Sequence, residues 1–334
     1  VLHAQNKYAL PGAWLAARLL RIPVLFTLRD TAHICPLGRC LLEYDRVPPG
    51  CGRGALWRED VAYHLAQYVR PRGALARARA RLALEWLRLD TRLRRRVLAR
   101  ADGVIAVSHG ILRLHEEAGV RLGRQARVVY NLPPEGEQPC AERLEALRRE
   151  LGLAEGPVVL FVGRLSPGKG VADLLAAAPR IAQQRPDVQV LLVGPGDPLP
   201  AGTHPCVRHL GALPHATVLA LYGLADVVVV PSVWPEPLSR VLLEAMAAGC
   251  AVVGTATGGT PELIADGENG FLVARRAPEA LAEAVVRILA DPALGARMGE
   301  ASRRRIAERF DPRQSLAQLV AFYRTRMRGE GADG

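Results

Sequence analysis

Short apolar segments alternate with helical patterns through the second half of the chain, and this alternation restricts the fold more than any other feature of the sequence. It is typical of a parallel β-sheet with helices on both faces. The predicted strands are Val158 to Val162, Val188 to Val193, Val207 to Leu210, Val227 to Pro231, Ala251 to Gly254 and Phe271 to Val273. The predicted helices are Val171 to Gln184, Ala216 to Leu224, Leu238 to Ala248, Pro278 to Leu289, Pro292 to Arg309 and Pro312 to Arg328. We expect a complete doubly wound domain here.

The first half shows the same pattern with fewer units. Its predicted elements are a helix at Ala13 to Leu20, strands at Val24 to Leu28, Gly103 to Val107 and Val128 to Tyr130, and a loop at Cys35 to Gly54. A segment rich in Pro, Glu and Gly, Asn131 to Pro139, is the natural linker. We therefore predict an α/β protein with an incomplete first Rossmann-like domain at residues 1–136 and a second at 141–310. A final helix at 311–328 is expected to cross back to the first domain.

The excess positive charge lies in the first 140 residues. They hold 23 of the 44 basic residues and 12 of the 33 acidic ones, whereas the remainder is balanced, so they carry the whole net charge of +11. Aromatic residues make up only 5% of the chain, which argues against a platform for nucleic acid, and we expect no nucleic-acid partner. Six cysteines in 334 residues favour a reducing compartment, so a cytoplasmic protein is expected. A basic nucleic-acid-binding protein stays open as the weakest alternative.

The stretch from Arg70 to Arg100 is the most basic part of the chain. It contains arginines 70, 72, 77, 79, 81, 88, 92, 94, 95, 96 and 100, interleaved with apolar residues. This pattern predicts a basic amphipathic helix. Two interpretations stay open: a solvated helix face, or a surface that binds anionic lipid and holds the protein peripherally on the inner face of the cell membrane.

A glycine-containing loop, GRLSPGKG from Gly163 to Gly170, follows the strand VVLFV. It fits a nucleotide-binding G-x4-GK loop except at its last position, where Gly170 replaces the Ser or Thr that would hold magnesium, so a nucleoside triphosphatase is disfavoured. The glycines, the cations Arg164 and Lys169 and a following helix N-terminus still predict a phosphate site. Lysine occurs only at Lys7 and Lys169 beside 42 arginines, which suggests that this site needs a compact charge. A surface turn with two solvated cations is the alternative.

Two carboxylates, Glu236 and Glu244, lie in the segment from Val227 to Gly249 with seven residues between them. At helical rise they would be about 12 Å apart and rotated by about 80°, so both can face one ligand. Glu244 lies in an apolar helix and needs hydroxyl donors or a cation, because burying an unpaired carboxylate costs several kcal/mol. The spacing suits a long polyhydroxylated ligand better than a shared metal. One N-cap and one salt-bridged glutamate is the structural alternative.

These residues resemble those of the retaining glycosyltransferase family 4, whose fold is GT-B, two Rossmann-like domains facing a cleft. The resemblance is carried by P-S-x3-E-P-x3-V-x-L-E-A-M-A-x-G, by VGRLSPGKG and by GGTPELIADGENGFLV. Upstream, VLHAQN, ADGVIAVSHG and VVYNLP also resemble family segments. The resemblance covers nearly the whole chain.

The resemblance implies an enzyme that moves a sugar from a nucleotide-diphosphate sugar to a glycan or lipid-linked acceptor, with no cofactor or metal. The implied catalytic residues are Arg164, Lys169 and Glu236. The implied donor-binding residues are Gly163, Arg164, Lys169, Glu236, Leu238, Ser239, Arg240 and Glu244. Arg29 and Asp30 would lie on the acceptor or donor-sugar side. A non-catalytic sugar-nucleotide-binding protein is the alternative.

The chain departs from the family pattern at three places. Arg29 stands where the family often has histidine, and Ser239 where it commonly has glycine. The chain also begins near the family's fourth N-domain strand, so we expect a fragment of a parent with roughly 80 to 100 more residues, able to bind donor but poor in transfer.

Four residues, His33, Cys35, Cys40 and Cys51, share one loop and leave a zinc site open as a minor alternative. Without a second close cysteine pair, free thiols are favoured. His109 and His115 are expected on a helix surface.

Overall fold

The computed structural model describes residues 1–35, 73–122, 125–133 and 139–327. These residues form two compact units. The first contains residues 1–130 together with the C-terminal residues from Leu316, and the second runs from Asn131 to Ser315. Two parallel sheets, one in each unit, form the frame of the protein.

The first unit contains a four-stranded parallel sheet in the order β1-β2-β3-β4. Its strands are β1 (Leu2–Ala4), β2 (Val24–Leu28), β3 (Gly103–Ala106) and β4 (Ala126–Val128). Its helices are α1 (Leu10–Leu20), α2 (Ala74–Leu98) and α3 (His109–Glu117). β2 and β3 are buried along their whole length, as expected for a parallel sheet covered on both faces. The last strand ends at Val128, so the predicted strand at Val128 to Tyr130 was placed about two residues too late.

The second unit contains a six-stranded parallel sheet in the order β10-β9-β8-β5-β6-β7. Its strands are β5 (Val158–Val162), β6 (Gln189–Val193), β7 (Val207–Gly211), β8 (Val227–Val230), β9 (Ala251–Thr255) and β10 (Gly270–Val273). Its helices are α4 (Ala141–Glu150), α5 (Val171–Gln184), α6 (His215–Tyr222), α7 (Arg240–Ala248), α8 (Thr260–Leu263), α9 (Pro278–Ala290) and α10 (Pro292–Arg309). The predicted doubly wound sheet is confirmed strand by strand.

The chain winds outward from β5 in both directions. β6 and β7 extend the sheet on one side, and β8, β9 and β10 extend it on the other, so the strand order reverses between β5 and β8. Open α/β sheets bind ligands beyond the carboxyl ends of their strands at such a reversal point. The loops after β5 and β8 are therefore where a ligand is expected.

The C-terminal helix, α11 (Pro312–Met327), begins in the second unit and continues in the first. Phe322 packs with Leu25, Ile105 and Val129 against the four-stranded sheet. The next residue, Tyr323, lies with its hydroxyl oxygen 2.6 Å from His3 Nδ1 on β1. These contacts join the two ends of the described chain within one unit.

Candidate functional site

The loops after β5 and β8 contact each other at the point where the strand order reverses. β5 and β8 pair in parallel, with Leu160 opposite Val228. Beyond the strands, the Trp234 amide donates to the Gly168 carbonyl at 3.0 Å. The fold thereby brings together the two motifs that the sequence suggested, although they lie about 70 residues apart.

Gly170, the residue that argued against a magnesium-dependent triphosphatase loop, is required by the backbone. It has a φ of +70° and ends a short 3-10 turn, Pro167–Lys169, just before α5. A Cβ at this position would lie 1.7 Å from the Pro231 carbonyl oxygen. No side chain fits there, so the β5 loop packs directly against the start of the β8 loop.

Arg164 and Gly163 lie at the carboxyl end of β5, beside the loop that follows β6. The Gly163 amide donates to the Val193 carbonyl at 2.8 Å, which holds this residue at the sheet edge. A Cβ on Gly194 would lie 2.0 Å from the Gly163 carbonyl oxygen, so the two loops are in close contact. The Arg164 side chain is exposed. This arrangement leaves its guanidinium accessible to an anion at the strand end.

Glu236 is the buried acceptor at the centre of the two loops. Its Oε1 accepts from Lys169 Nζ at 2.5 Å and from the Ser232 hydroxyl at 2.7 Å, and the residue is 7% exposed. The Thr255 hydroxyl donates to the Ser232 carbonyl at 2.5 Å, which ties this group to the end of β9. The Lys169 side chain is 40% exposed and has three N–H donors, so it can hold Glu236 and still bind a second anion.

Two glycines, Gly258 and Gly259, hold the backbone of Glu236. The Gly259 amide donates to the Glu236 carbonyl at 2.7 Å. A Cβ on Gly258 would lie 2.1 Å from the same carbonyl oxygen, and Gly258 has a φ of +57°. On the other side, Arg275 Nη1 donates to the Val233 carbonyl at 2.7 Å. Contacts from the ends of β9 and β10 thus fix the position of the Glu236 loop.

Ser239 has a structural role in the position where the resembled family commonly has glycine. It is the N-cap of α7, and its hydroxyl accepts from the Leu242 amide at 3.3 Å. Leu238, which precedes it, is buried. The helix begins at Arg240, two residues later than predicted, so Glu236 lies in the loop before the helix and not on its first turn. The positive end of α7 still lies next to the Glu236 loop.

Glu244 is buried on α7, as the sequence suggested, and the structure supplies both kinds of partner that it needs. The Tyr222 hydroxyl donates to Glu244 Oε2 at 3.0 Å. His215 Nε2 lies 3.1 Å from Oε1, and Arg240 Nη2 lies 3.5 Å from the same atom. Neither Tyr222 nor His215 was predicted from the sequence. Their spacing of seven residues, which puts both on one face of α6, is a signal that could have found them.

Arg29 and Asp30 lie in the first unit, directly after β2. Arg29 is exposed, whereas Asp30 Oδ1 accepts from the Ala32 amide at 2.9 Å and its Oδ2 lies 3.8 Å from Lys7 Nζ. The two residues are therefore at the carboxyl end of a central strand of their own sheet, where ligands of such sheets bind.

The expectation that His115 lies on a helix surface is wrong, while His109 is exposed as expected. His115 is fully buried on α3, and its ring centroid lies 6.0 Å from that of His33, which is also fully buried. Among the residues that the structure describes, neither ring nitrogen of His33 has a hydrogen-bond partner. Burial lowers the pKa of His115 to about 4, and burial together with the neighbouring His115 lowers the pKa of His33 to about 3.

Helix α2 contains the described part of the predicted basic helix, whereas Arg70 and Arg72 lie outside the described residues. One of its faces is buried around Leu84, and the opposite face is apolar and exposed. The exposed apolar residues are Leu75, Leu82, Trp86, Leu89 and Leu93, and the exposed arginines are Arg77, Arg79, Arg81, Arg92 and Arg96. Arg100, which follows the helix, is also exposed. Arg94 is buried instead, because it pairs with Asp90 and stacks over the Tyr8 ring at 4.8 Å.

Cys40 and Cys51, two of the four residues considered for zinc, lie outside the described residues. In the described part of the chain, no group of three or more His, Cys, Asp or Glu side chains is placed to hold a metal ion. Within the same residues, no helix combines the length and the apolar character needed to span a membrane.

Comparisons with known proteins agree with this geometry. Residues 156–291, which contain both loops and α7, match the family model described as "Glycosyl transferases group 1". Alpha-maltose-1-phosphate synthase of Mycolicibacterium smegmatis is 36% identical over 255 residues, which cover 67% of this chain and 63% of that protein. Spore coat protein SA of Bacillus subtilis is 36% identical over 197 residues, which cover 54% of this chain and 52% of that protein. The chain thus spans about half to two thirds of the length of these curated relatives.

Solved structures match nearly all of the chain. Anabaena HepE, solved in complex with UDP-glucose, has a TM-score of 0.71 at 24% identity, with 97% of this chain and 78% of HepE covered. Sucrose-phosphate synthase from Thermosynechococcus elongatus has a TM-score of 0.67 at 27% identity, with 98% and 73% covered. The α/β architecture with two parallel sheets is the GT-B fold, and residues 156–291 match its glycosyl transferases group 1 domain.

Proposed function

We propose that the protein is a retaining glycosyltransferase of family 4 that uses a nucleotide-diphosphate sugar as donor. The observation that carries this proposal is the contact of Lys169 with Glu236 at 2.5 Å, at the carboxyl ends of β5 and β8. In this proposal Lys169 is the cation for phosphate and Glu236 the carboxylate for hydroxyl groups, at the point of the sheet where ligands of such folds bind. The group 1 match of residues 156–291 and the sugar-nucleotide complex of HepE support it.

Each donor-binding residue then has a role that follows from its place. Arg164 and Lys169 would bind the diphosphate, with Gly163 allowing close approach of the backbone. Glu236 would accept hydrogen bonds from the transferred sugar, assisted by backbone amides of residues 238–240 at the start of α7. Glu244 would accept from the ribose hydroxyls. Donor contacts of this kind need neither a metal nor a cofactor.

In the proposed reaction the bond between C1 of the sugar and the phosphate oxygen breaks, and a bond between C1 and an acceptor hydroxyl oxygen forms on the same face. The acceptor proton passes to the departing phosphate. Negative charge develops on the diphosphate as the bond breaks, so cations fixed beside it would supply most of the rate enhancement. The acceptor would be a glycan or lipid-linked sugar in cell-surface polysaccharide or glycolipid synthesis, with Arg29 and Asp30 on the acceptor or sugar side.

A thermal-shift screen of UDP-, GDP- and ADP-sugars tests the donor proposal. We expect one nucleotide class to raise the melting temperature, because a ligand that binds only the folded state stabilises it. No shift with any of the three would contradict the proposal. A clear shift without transfer to any acceptor would favour the alternative of a non-catalytic sugar-nucleotide-binding protein.

The two glutamates should serve opposite ends of the donor. We expect Glu244→Ala to weaken binding of the nucleoside diphosphate about tenfold, because an unpaired ribose hydroxyl costs about 1–2 kcal/mol. Glu236→Ala should affect the intact sugar nucleotide much more than the nucleoside diphosphate. Calorimetry with both ligands measures the difference. Equal losses on both ligands in each variant would contradict this division of roles.

We further propose that α2 holds the protein on the inner, anionic face of the cell membrane. The exposed arginines flank a stripe of exposed Leu and Trp residues, as in helices that lie in a membrane interface. Replacing Arg77, Arg81, Arg92 and Arg96 with Gln should weaken binding to anionic vesicles by about 1 kcal/mol per arginine at low salt. Replacing the exposed Arg143, Arg180, Arg297 and Arg304 of the second unit removes the same charge and should have little effect. Equal losses in co-sedimentation by the two variants, or no preference for anionic vesicles, would favour a solvated face.

A further inference from the structure

The carboxylate of Glu244 is held asymmetrically by the two ends of helix α6. Tyr222, the last residue of α6, donates its hydroxyl to Oε2 at 3.0 Å, and His215, the first residue, lies 3.1 Å from Oε1. The Oε2 side is closed, because Tyr222 is 2% exposed. The Oε1 side is open, because the side chains of its partners His215 and Arg240 are 57% and 73% exposed. One oxygen therefore faces the protein interior, and the other lies beside two side chains that reach solvent.

The tyrosine is fixed both by its chemistry and by its backbone. Burial and the charge of Glu244 raise the pKa of the Tyr222 hydroxyl, so it is a protonated donor at neutral pH. The Cys250 thiol donates to the Tyr222 carbonyl at 3.1 Å, and burial raises the pKa of this thiol to about 12. Among the described residues this hydroxyl donates to Glu244 Oε2, and the bond holds that oxygen in place.

We propose that Tyr222 is the positioning residue that makes this site selective for ribonucleotides. By occupying Oε2, its hydroxyl directs Oε1 to accept from the ribose hydroxyl pair of the donor. A carboxylate free to rotate would present this acceptor only part of the time, and a polar group aimed at a substrate hydroxyl gives strong discrimination against an analogue that lacks it. This inference rests on the proposed donor role of Glu244 and adds the residue that orients it.

The test is the Tyr222→Phe variant, which removes the hydroxyl and keeps the ring that fills the core. Calorimetry compares UDP, GDP and ADP with their 2′,3′-dideoxy counterparts. The readout, for the nucleotide that binds best, is the dissociation constant of the dideoxynucleotide divided by that of the ribonucleotide. We expect the variant to lose about tenfold in affinity for the ribonucleotide and little for the dideoxynucleotide, so that the ratio falls toward that of Glu244→Ala. Thermal unfolding of each variant shows that the protein measured is folded.

A matched control separates orientation from packing. Cys250→Ala removes the bond to the Tyr222 carbonyl and a buried side chain, but it leaves the hydroxyl on Glu244, so it should lower stability without lowering the ratio. If Tyr222→Phe weakens both ligands equally, or leaves the ratio unchanged while Glu244→Ala lowers it, the positioning role is wrong and the donor proposal stands. If the wild-type protein binds no nucleoside diphosphate, both are wrong.

Discussion

Replacing Lys169 with Ala is expected to lower the rate of sugar transfer at least about 10²-fold, and Arg164→Ala should do the same. Each cation would stabilise the charge that develops on the leaving diphosphate, and removing one such preorganised group costs roughly 3–4 kcal/mol in the transition state. For Lys169 there is a second cost, because the variant leaves the buried Glu236 carboxylate with the Ser232 hydroxyl as its remaining described partner. The loss should appear in kcat as well as in kcat/KM.

Arg180 provides the matched control for this experiment. It lies on α5 in the same unit, and its exposed side chain pairs with the exposed Glu283 at 2.7 Å. Arg180→Ala removes the same charge from a solvated pair and should leave the rate of transfer near that of the wild-type protein. Transfer at near-normal rates by both Lys169→Ala and Arg164→Ala would remove the donor-site assignment.

Acidification from pH 7 to pH 4 is expected to destabilise the first unit by several kcal/mol through His33 and His115. Their pKa values in the fold are about 3 and about 4, below the ordinary value of 6.5. Above pH 6.5 both rings are neutral in the folded and unfolded states, so they do not affect the pH dependence. As the pH falls below 6.5 the unfolded chain takes up protons that the folded chain cannot, and each histidine costs about 1.4 kcal/mol per pH unit. The loss from His115 is complete near pH 4 and amounts to roughly 3 kcal/mol.

The environment of the two rings explains the size of this effect. His33 packs edge-on against Phe26, and His115 Nδ1 lies 2.8 Å from the Ile111 carbonyl oxygen. In the described part of the chain, no carboxylate is hydrogen-bonded to either ring. The charge of Asp30 raises the pKa values of both histidines, but burial lowers them more. The cations Arg94 and Lys7 lower the pKa of His33 further, and Arg95 lowers the pKa of His115. Urea unfolding at pH 7 and pH 5, monitored by amide exchange in β3 and α3, measures the slope of the free energy of unfolding against pH.

A double variant, His33→Leu with His115→Gln, should lose most of this slope, because it lacks the two buried histidines. The carboxylates that also titrate are the same in the wild-type protein and in the variant, so their contribution does not change. His109→Gln is the matched control, since His109 is exposed on the same helix, and it should retain the full slope. An unchanged slope in the double variant would show that other groups carry the acid sensitivity.

The sequence alone was sufficient to predict the six-stranded sheet of the second unit and to locate the loops after β5 and β8. Most strands of this sheet are short and buried, so they appear as continuous apolar runs, although β7 (VRHLG) is only partly buried. Three of the five connections between them carry a segment of helical periodicity. The loop from Gly163 to Gly170 could also be located, because its glycines and its lysine stand out in a chain with 42 arginines. The first sheet was harder to predict, since β1 and β4 have three residues each and carry little pattern.

Only the tertiary structure decided which side chains meet. It paired Lys169 with Glu236 across about 70 residues, closed Tyr222 and His215 of α6 around Glu244, and buried His115, which the sequence placed on a surface. A periodic pattern depends on neighbours along one element, so it can report which face of that element is apolar. The partners of a buried polar group come from other elements, and their distances are set by sheet order and helix packing, which no local pattern contains.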